Sequence, residues 1–253
     1  VVPQLKGNDA KTTATFACLI PAFNESARIG GVLSAVLGHP LIATVLVVDD
    51  GSSDGTAAVA RFHGARVLEM TRNGGKTAAL AAGIAALETS HLVLIDADLR
   101  GLRPDHLTRL VAPVEDRRAD VAISLRGNAP LTWRLIGADY ISGERVVPRA
   151  LLPPLLADLP RLPRFGFEVF LNEAILRERL TTAIVPWPDV ASPSKAAKRG
   201  LVRGLRSDVA MLSDIFRTVP PYRVAAQIAA FAKAARWSRS VGTGWVPQYF
   251  DGT

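Results

Sequence analysis

The rhythm of the chain between residues 14 and 125 narrows its fold more than any other feature. Short apolar, β-branched runs alternate there with stretches of helical spacing, and the joins are short. Strands are expected at Thr15–Ile20, Leu41–Val48, Arg66–Met70, His91–Ile95 and Val121–Leu125. Helices are expected at Glu25–Leu37, where Ile29, Val32, Leu33 and Val36 share a face, and at Thr56–Phe62 with Asp54 as N-cap. Two more are expected, an Ala-rich one that the loop Arg72–Lys76 opens and that runs to Leu87, and one from Pro104 to Val111. Such an alternation predicts βαβ units and an α/β, Rossmann-like fold: a mainly parallel sheet flanked by helices. Leu41–Val48 is apolar nearly throughout, as a strand buried on both faces requires. The strand order does not follow from the pattern.

After residue 126 the alternation breaks. Arg126–Tyr140 reads as irregular, and Ile141–Ala157 carries Val146, Val147, Leu151, Leu152, Leu155 and Leu156. Arg164–Glu168 leads into a helix ending near Leu180, Ala183–Trp187 is a further strand, and Lys195–Arg217 and Pro221–Arg239 are closing helices. Three regions are expected: a ligand-binding half at 14–125, a second half of the same domain at 126–217, and a basic C-terminal helix and tail at 218–253. Residues 1–13 are polar and expected to fray.

Charge separates these regions. Residues 1–194 hold 20 Lys/Arg and 20 Asp/Glu, so the whole net charge of +7 falls on residues 195–253. That basic segment lacks an aromatic-studded sheet signature or recognition-helix motif, which argues against nucleic acid. The helix beginning at Tyr222 has apolar residues at 224, 228, 231, 232 and 235 on one face. That face predicts docking on the domain or on a second copy as a homodimer; the alternative is peripheral contact of 221–239 with anionic lipid. No run approaches the ~20 apolar residues of a membrane span. Cys18 is the single cysteine, which excludes an internal disulfide. With no leader recognisable at Val1, a cytoplasmic location is expected, with attachment to the inner membrane face as a variant.

Every polar motif of the first half falls at a strand's carboxyl end, where ligands of such sheets bind. Leu94-Ile95-Asp96-Ala97-Asp98 ends one strand in two carboxylates. Residues two apart on an extended backbone share a side, so Asp96 and Asp98 can converge. Such a pair suits a hard divalent ion, Mg²⁺ or Mn²⁺, that carries phosphates on its other side. The plain alternative is a turn with Asp98 as a cap. Gly74, Gly75 and the helix N-terminus behind them predict an anion site, to which Lys76 adds a point charge. Asp49 and Asp50 open a turn that ends at Gly55, and Glu25 lies in a first helical turn.

Taken in order, I-P-A-F-N-E (20–25), V-V-D-D-G-S-S-D-G-T (47–56), N-G-G-K-T-A-A-L (73–80) and L-I-D-A-D (94–98) resemble the nucleotide-sugar-binding half of GT-A-fold, family 2 glycosyltransferases. A looser resemblance over 140–217 is to the acceptor half of glucosyl-3-phosphoglycerate synthases and polyprenyl-phosphate sugar transferases. The resemblance implies a nucleotide-sugar site of Pro21, Ala22, Phe23, Asn24, Glu25, Asp50, Gly75, Lys76, Asp96 and Ala97. It implies a D-x-D in which Asp98 is the more direct metal ligand and Asp96 lies nearer ribose or sugar. Gly143, Glu144 and Arg145 would lie on the acceptor side, and Arg145 and Arg149 could meet a phosphate or carboxylate of the acceptor; the plain alternative is exposed arginines on an amphipathic helix. In such relatives a His often follows the last strand; Ser192 stands there in this chain.

The activity implied is metal-dependent hexosyl transfer from a nucleoside-diphosphate sugar, UDP-glucose before GDP-mannose, to a small phosphorylated or carboxylated acceptor or a polyprenyl phosphate. An inverting enzyme needs a base, for which Glu168, Asp189 and Glu144 are candidates; a retaining one could use the donor's phosphate. A non-catalytic nucleotide-sugar-binding module is the third reading. Sugar-1-phosphate nucleotidyltransferases need a Gly-rich loop with Arg after the first strand, where this chain has Pro21–Glu25. His39, His63, His91 and His106 have no ligand spacing.

Overall fold

The computed structural model describes residues 14–129, 134–135, 137–139, 141–153, 166–193 and 220–240. They form one seven-stranded sheet: β1 (Phe16–Ala22), β2 (Thr44–Asp49), β3 (Arg66–Glu69), β4 (His91–Leu94), β5 (Val121–Arg126), β6 (Arg145–Pro148) and β7 (Thr182–Trp187), in the order β3-β2-β1-β4-β6-β5-β7. β6 alone runs antiparallel, to both β4 and β5. Six described helices flank the sheet: α1 (Ile29–Val36), α2 (Thr56–Phe62), α3 (Lys76–Ala86), α4 (Pro104–Glu115), α5 (Gly166–Arg177) and α6 (Pro221–Ser240). The expected α/β sheet is present.

Side-chain alternation along the strands divides the core in two. Phe16, Cys18 and Ile20 of β1 join Ile29, Leu33, Leu107 and Leu110 beneath α1 and α4. Ala17 and Leu19 join Leu80, Ile84, Val169, Ile175 and Phe231 beneath α3, α5 and α6. Parallel crossovers are right-handed, so a chain that reverses its direction across a sheet must change faces. It steps outward from β1 to β3 with α1 and α2 on one face. It then returns by α3 on the other face to β4, beside β1. The crevice where the order reverses, at the carboxyl ends of β1 and β4, is the ligand position of this architecture.

Several boundaries differ from the sequence reading, each for a local reason. α1 starts at Ile29 rather than Glu25, because Asn24 takes a left-handed φ of 54° and Glu25 N and Ser26 N donate to Thr56 Oγ1 and Asp54 Oδ2. The N-cap of α2 is Gly55; Asp54, one residue earlier, still accepts from Thr56 N at 3.0 Å. Burial opposes ionisation of Asp54, but hydrogen bonds from Thr56 and Ser26 together outweigh it and bring its pKa to about 2. α4 continues through Pro113 to Glu115. The strand β6 was not foreseen: it has four residues, begins with a charged one and ends in proline, so it shows no alternation to read. Arg145, read as an exposed helical arginine or an anion contact, is fully buried. The expected Lys195–Arg217 helix, Arg164, Phe165 and residues 1–13 lie outside the described residues.

The sheet's β7 edge is covered by α6. Val224, Gln227, Phe231, Ala235 and Ser238 are buried, so the apolar stripe of this helix faces β7 and α5 rather than lipid. Ser238 Oγ donates to Ala234 O and accepts from Ile184 N of β7, both at 2.9 Å. Arg223 and Gln227 bond the Glu173 carboxylate of α5 at 2.9 and 2.8 Å. No described helix is long and apolar enough to cross a membrane.

The turn from β5 to β6 buries a polar cluster. Arg126 bonds Asp139 Oδ2 at 3.1 Å and lies 3.5 Å from Glu144 Oε2. Ser124 and Ser142 Oγ reach the same Glu144 oxygen at 3.0 and 2.7 Å. Burial pushes the Glu144 carboxyl above its usual 4.5, against the pull of Arg126. The folded chain therefore keeps this proton where the unfolded chain has released it, and stability falls as pH rises through that window. Glu144→Gln has no such proton. Its Tm relative to wild type is expected to climb as pH rises above about 4.5, whatever the constant offset from lost contacts. A flat difference would show that the carboxyl ionises normally despite burial.

Gly83 tests how closely α3 approaches the sheet. A Cβ there would lie 2.2 Å from Leu19 Cδ1 and 3.0 Å from Val48 Cγ2, and both residues are fully buried. Gly→Ala would strengthen the helix by about 1 kcal/mol, whereas overpacking costs about 1–3 kcal/mol. Gly83→Ala is expected to lower the urea midpoint. A midpoint at or above the wild-type value would mean that α3 can stand off the sheet.

Candidate active site

The first wall of the crevice is made by β1 ending in proline. β1 pairs with β4 only through Leu19↔Leu94, and Ile95 N extends that ladder to Leu19 O at 3.1 Å. Pro21 comes next on the β4 side, where its missing N–H forfeits no bond. Ala22 continues on the β2 side, its carbonyl accepting from Asp50 N at 2.8 Å. Beyond it Phe23 is 43% exposed at the rim. Asn24 is tied to the β2 loop by Asn24 N to Ser52 Oγ (2.9 Å) and Ser53 N to Asn24 Oδ1 (3.0 Å). Glu25 pairs with Arg28 at 2.8 Å, its side chain 14% exposed.

Asp50 is an organiser of the second wall. It is buried, and its two carboxylate oxygens accept from Gly74 N at 2.7 Å and Gly75 N at 2.8 Å. The anion site expected at these glycines is thus filled by the chain's own carboxylate. The bond anchors the N-terminus of α3, whose first residue is Lys76. Lys76 Nζ lies 2.8 Å from Asp96 Oδ1 and 2.9 Å from Glu168 Oε1. Burial would lower the Lys76 pKa, but the charges of Asp96 and Glu168 prevail and hold it well above the usual lysine range. Lys76 is therefore a fixed cation at neutral pH, not a base.

The floor is the turn after β4. Asp96 and Asp98 are half-buried and Ala97 between them is buried. The connection into β6 closes over Asp96: a Cβ at Gly143 would lie 2.7 Å from both Asp96 carboxylate oxygens, so a side chain there would have to displace that carboxylate. Arg145 Nε donates to Ser142 O and Nη1 to Asn172 Oδ1, both at 2.6 Å. Arg149 Nε donates to Leu87 O at 2.6 Å, a structural bond on another turn. Pro21, Lys76, Leu80, Leu94, Ile95, Asp96, Gly143, Arg145, Phe167 and Glu168 line one pocket.

The three candidate bases are placed differently. Glu168 lines the pocket at the first turn of α5, its side chain 8% exposed. Glu144 lies in the buried cluster with Arg126. Asp189 is 59% exposed and pairs with Arg103 at 3.3 Å. Its loop is clipped to the D-x-D turn by Arg100 N to Ala191 O (2.8 Å) and the return bond at 3.1 Å. Ser192 follows on that loop, and its hydroxyl accepts from Arg126 Nη1. Arg126 was missed because the strand was read as ending at Leu125. A charged residue at a strand's carboxyl end was the same signal that marked Asp96.

Among the described residues no three His, Cys, Asp or Glu side chains gather as a metal cage. Mg²⁺ and similar hard ions are commonly held by one or two carboxylates, with phosphates and water completing the shell. Asp98, with Asp96 beside it, fits that role. The four histidines serve elsewhere: His39 bonds Pro104 O and Thr108 Oγ1, His106 lies tilted against Trp187, His91 bonds Ser90 Oγ, and His63 lies against Gly30.

Known proteins are similar to this chain in sequence and in fold. The chain is 30% identical over 138 residues to a dodecaprenyl-phosphate galacturonate synthase of Rhizobium johnstonii, covering 50% of this chain and 40% of the synthase. It is 36% identical over 98 residues to a 4,4'-diaponeurosporenoate glycosyltransferase of Staphylococcus aureus, covering 37% of this chain and 26% of that enzyme. The chain thus corresponds to less than half the length of these relatives. Its fold matches glucosyl-3-phosphoglycerate synthase of Mycobacterium tuberculosis, solved with Mn²⁺, uridine diphosphate and glucosyl-3-phosphoglycerate. That match has a TM-score of 0.64, 25% identity and 81% coverage of both chains. Residues 17–160 match the family model described as glycosyl transferase family 2. With that match spanning more than half of its length, on a GT-A sheet with the D-x-D at the reversal of strand order, the chain belongs to glycosyl transferase family 2.

Proposed function

We propose that this chain transfers a hexosyl group from a nucleoside-diphosphate sugar, UDP-glucose in first place, to a small phosphorylated or carboxylated acceptor. The observation that carries the reading is the crevice itself. The D-x-D turn lies between the Pro21–Glu25 lip and the Gly143–Arg145 connection, with Lys76 and Glu168 facing it. The mycobacterial synthase, crystallised with uridine diphosphate and glucosyl-3-phosphoglycerate, supports the choice of donor and acceptor class.

In this reading Phe23 and Glu25 border the nucleoside, and Asp50 acts by fixing α3 rather than by touching the base. Lys76 meets the diphosphate, and Asp96 is directed at ribose or sugar. Asp98 would hold Mg²⁺ or Mn²⁺, which when bound neutralises charge on the departing diphosphate. Gly143 lets the chain close over Asp96 on the acceptor side, and buried Arg145 holds that connection in place through Ser142 O and Asn172 Oδ1. Glu168 is the acid that lines the pocket, so it orients the acceptor hydroxyl and is the side chain placed to take its proton.

A polyprenyl-phosphate acceptor is the second reading, favoured by the rhizobial relative. Its phosphate would take the same place. The outer face of α6 keeps Tyr222 exposed, with Arg223, Lys233, Arg236 and Trp237 along it. That is the face of α6 left open for contact with a membrane.

Asp98→Ala is expected to lower transfer by about 10³-fold, the several-kcal/mol scale of a lost metal contribution, with Tm unchanged. Wild-type turnover in this variant would remove Asp98 from the site. In a thermal-shift panel of UDP-, GDP-, ADP- and dTDP-sugars, with and without Mn²⁺ or Mg²⁺, the UDP-sugar with metal is expected to raise Tm most. No shift from any of them in folded protein would favour a module that does not use such donors. Glu168→Gln can still orient a hydroxyl but cannot accept its proton. A fall in kcat of about 10²–10⁴-fold is expected. Unchanged kcat would leave Glu168 as a counter-ion to Lys76.

A further inference from the structure

Lys76 is placed against the grain of its helix. It is the first residue of α3, where the helix dipole disfavours a cation, and it sits beside glycine N–H groups that Asp50 has already engaged. Its position is compensated by two carboxylates from other elements, Asp96 at 2.8 Å and Glu168 at 2.9 Å. The side chain is nonetheless 32% exposed, so its ammonium can be reached from the crevice. One covalently attached cation thus already neutralises part of the charge that would attract a divalent ion to the D-x-D turn.

We propose that Lys76 is a parked cation that suppresses metal binding to the empty site and moves to the donor diphosphate, so that metal and nucleotide are taken up together. This rests on the donor-site reading above. With Lys76 on Asp96, a free divalent ion meets a half-neutralised D-x-D turn and, among the described residues, no cage of three ligands. A diphosphate changes both terms. It supplies oxygen ligands to the ion and a competing anion for the ammonium, whose flexible stem and three donors allow it to be shared or transferred. Asp96 is then released to the donor.

The test uses Mn²⁺ alone, UDP alone and both together. Electron paramagnetic resonance reads free Mn²⁺ and calorimetry reads UDP. Lys76→Met is expected to bind Mn²⁺ without nucleotide about tenfold more tightly than wild type, the effect of removing one nearby, partly screened positive charge. The same variant is expected to bind UDP more weakly. Lys76→Arg, which keeps the charge, should leave Mn²⁺ binding at the wild-type level. Glu168→Gln loosens the parking place without removing the cation and should strengthen UDP binding; it provides the readout if Lys76→Met does not fold. Lys76→Met binding Mn²⁺ no better than wild type, or Glu168→Gln binding UDP no better, would overturn the proposal while leaving the donor site intact. Failure of wild-type protein to bind UDP with Mn²⁺ would instead overturn the donor-site reading.

Discussion

The handedness of parallel crossovers is the constraint on which this structure depends. Two helices on one face carry the chain outward from β1 to β3, so the return to β4 has to use the other face. The reversal leaves the carboxyl ends of β1 and β4 adjacent but not bridged by a connection. Everything with chemical potential is attached to that gap: Pro21 on one strand, Asp96 and Asp98 on the other, and Lys76 at the head of the returning helix. The loops are held there by backbone donors rather than by long side chains. Asp50 on Gly74 and Gly75 fixes α3 to β2, and Asn24 with Ser52 and Ser53 fixes the β1 lip to the same loop. Displacing either clasp would move several site residues at once.

The second half of the chain contributes a closing surface. β6 runs antiparallel between β4 and β5, which brings the connection before it over the D-x-D turn, with Gly143 against Asp96. α5 delivers Glu168 from the opposite side. Arg126 links the end of β5 to Asp139, to Glu144 and to the Ser192 loop. Charges alternate through this region rather than accumulate: Glu168, Lys76, Asp96, then Arg126 and its two acids. Under the proposed reading, a donor diphosphate would compete with Asp96 and Glu168 for the Lys76 ammonium.

The parallel half of the fold was legible because each strand is β-branched, apolar and terminated by a polar motif. Leu41–Val48 and His91–Ile95 show this well. β6 was illegible because R-V-V-P has neither alternation nor length, and its buried arginine contradicts the usual sign of a core strand. Within the site, D-x-D and Lys76 were visible from spacing at strand ends. The partnership of Lys76 with Glu168 was not, since 92 residues separate them and only the sheet topology brings α5 against α3. The role of Asp50 was also hidden. Its residue type suggests a ligand, and only geometry shows that its oxygens are directed at the chain's own N–H groups. The direction of the α6 stripe is a further case, because an amphipathic pattern states that a face is covered but not by what.

Ser238 gives the sheet a property unrelated to catalysis. By accepting from Ile184 N while bonding its own helix, it occupies a hydrogen-bonding position on the rim of β7 that another polypeptide could have used. The opposite rim, β3, is four residues long with Arg66 and Glu69 exposed. The sheet therefore offers no long apolar rim for strand-by-strand growth. Copies of this protein at high concentration would be steered away from edge-to-edge aggregation.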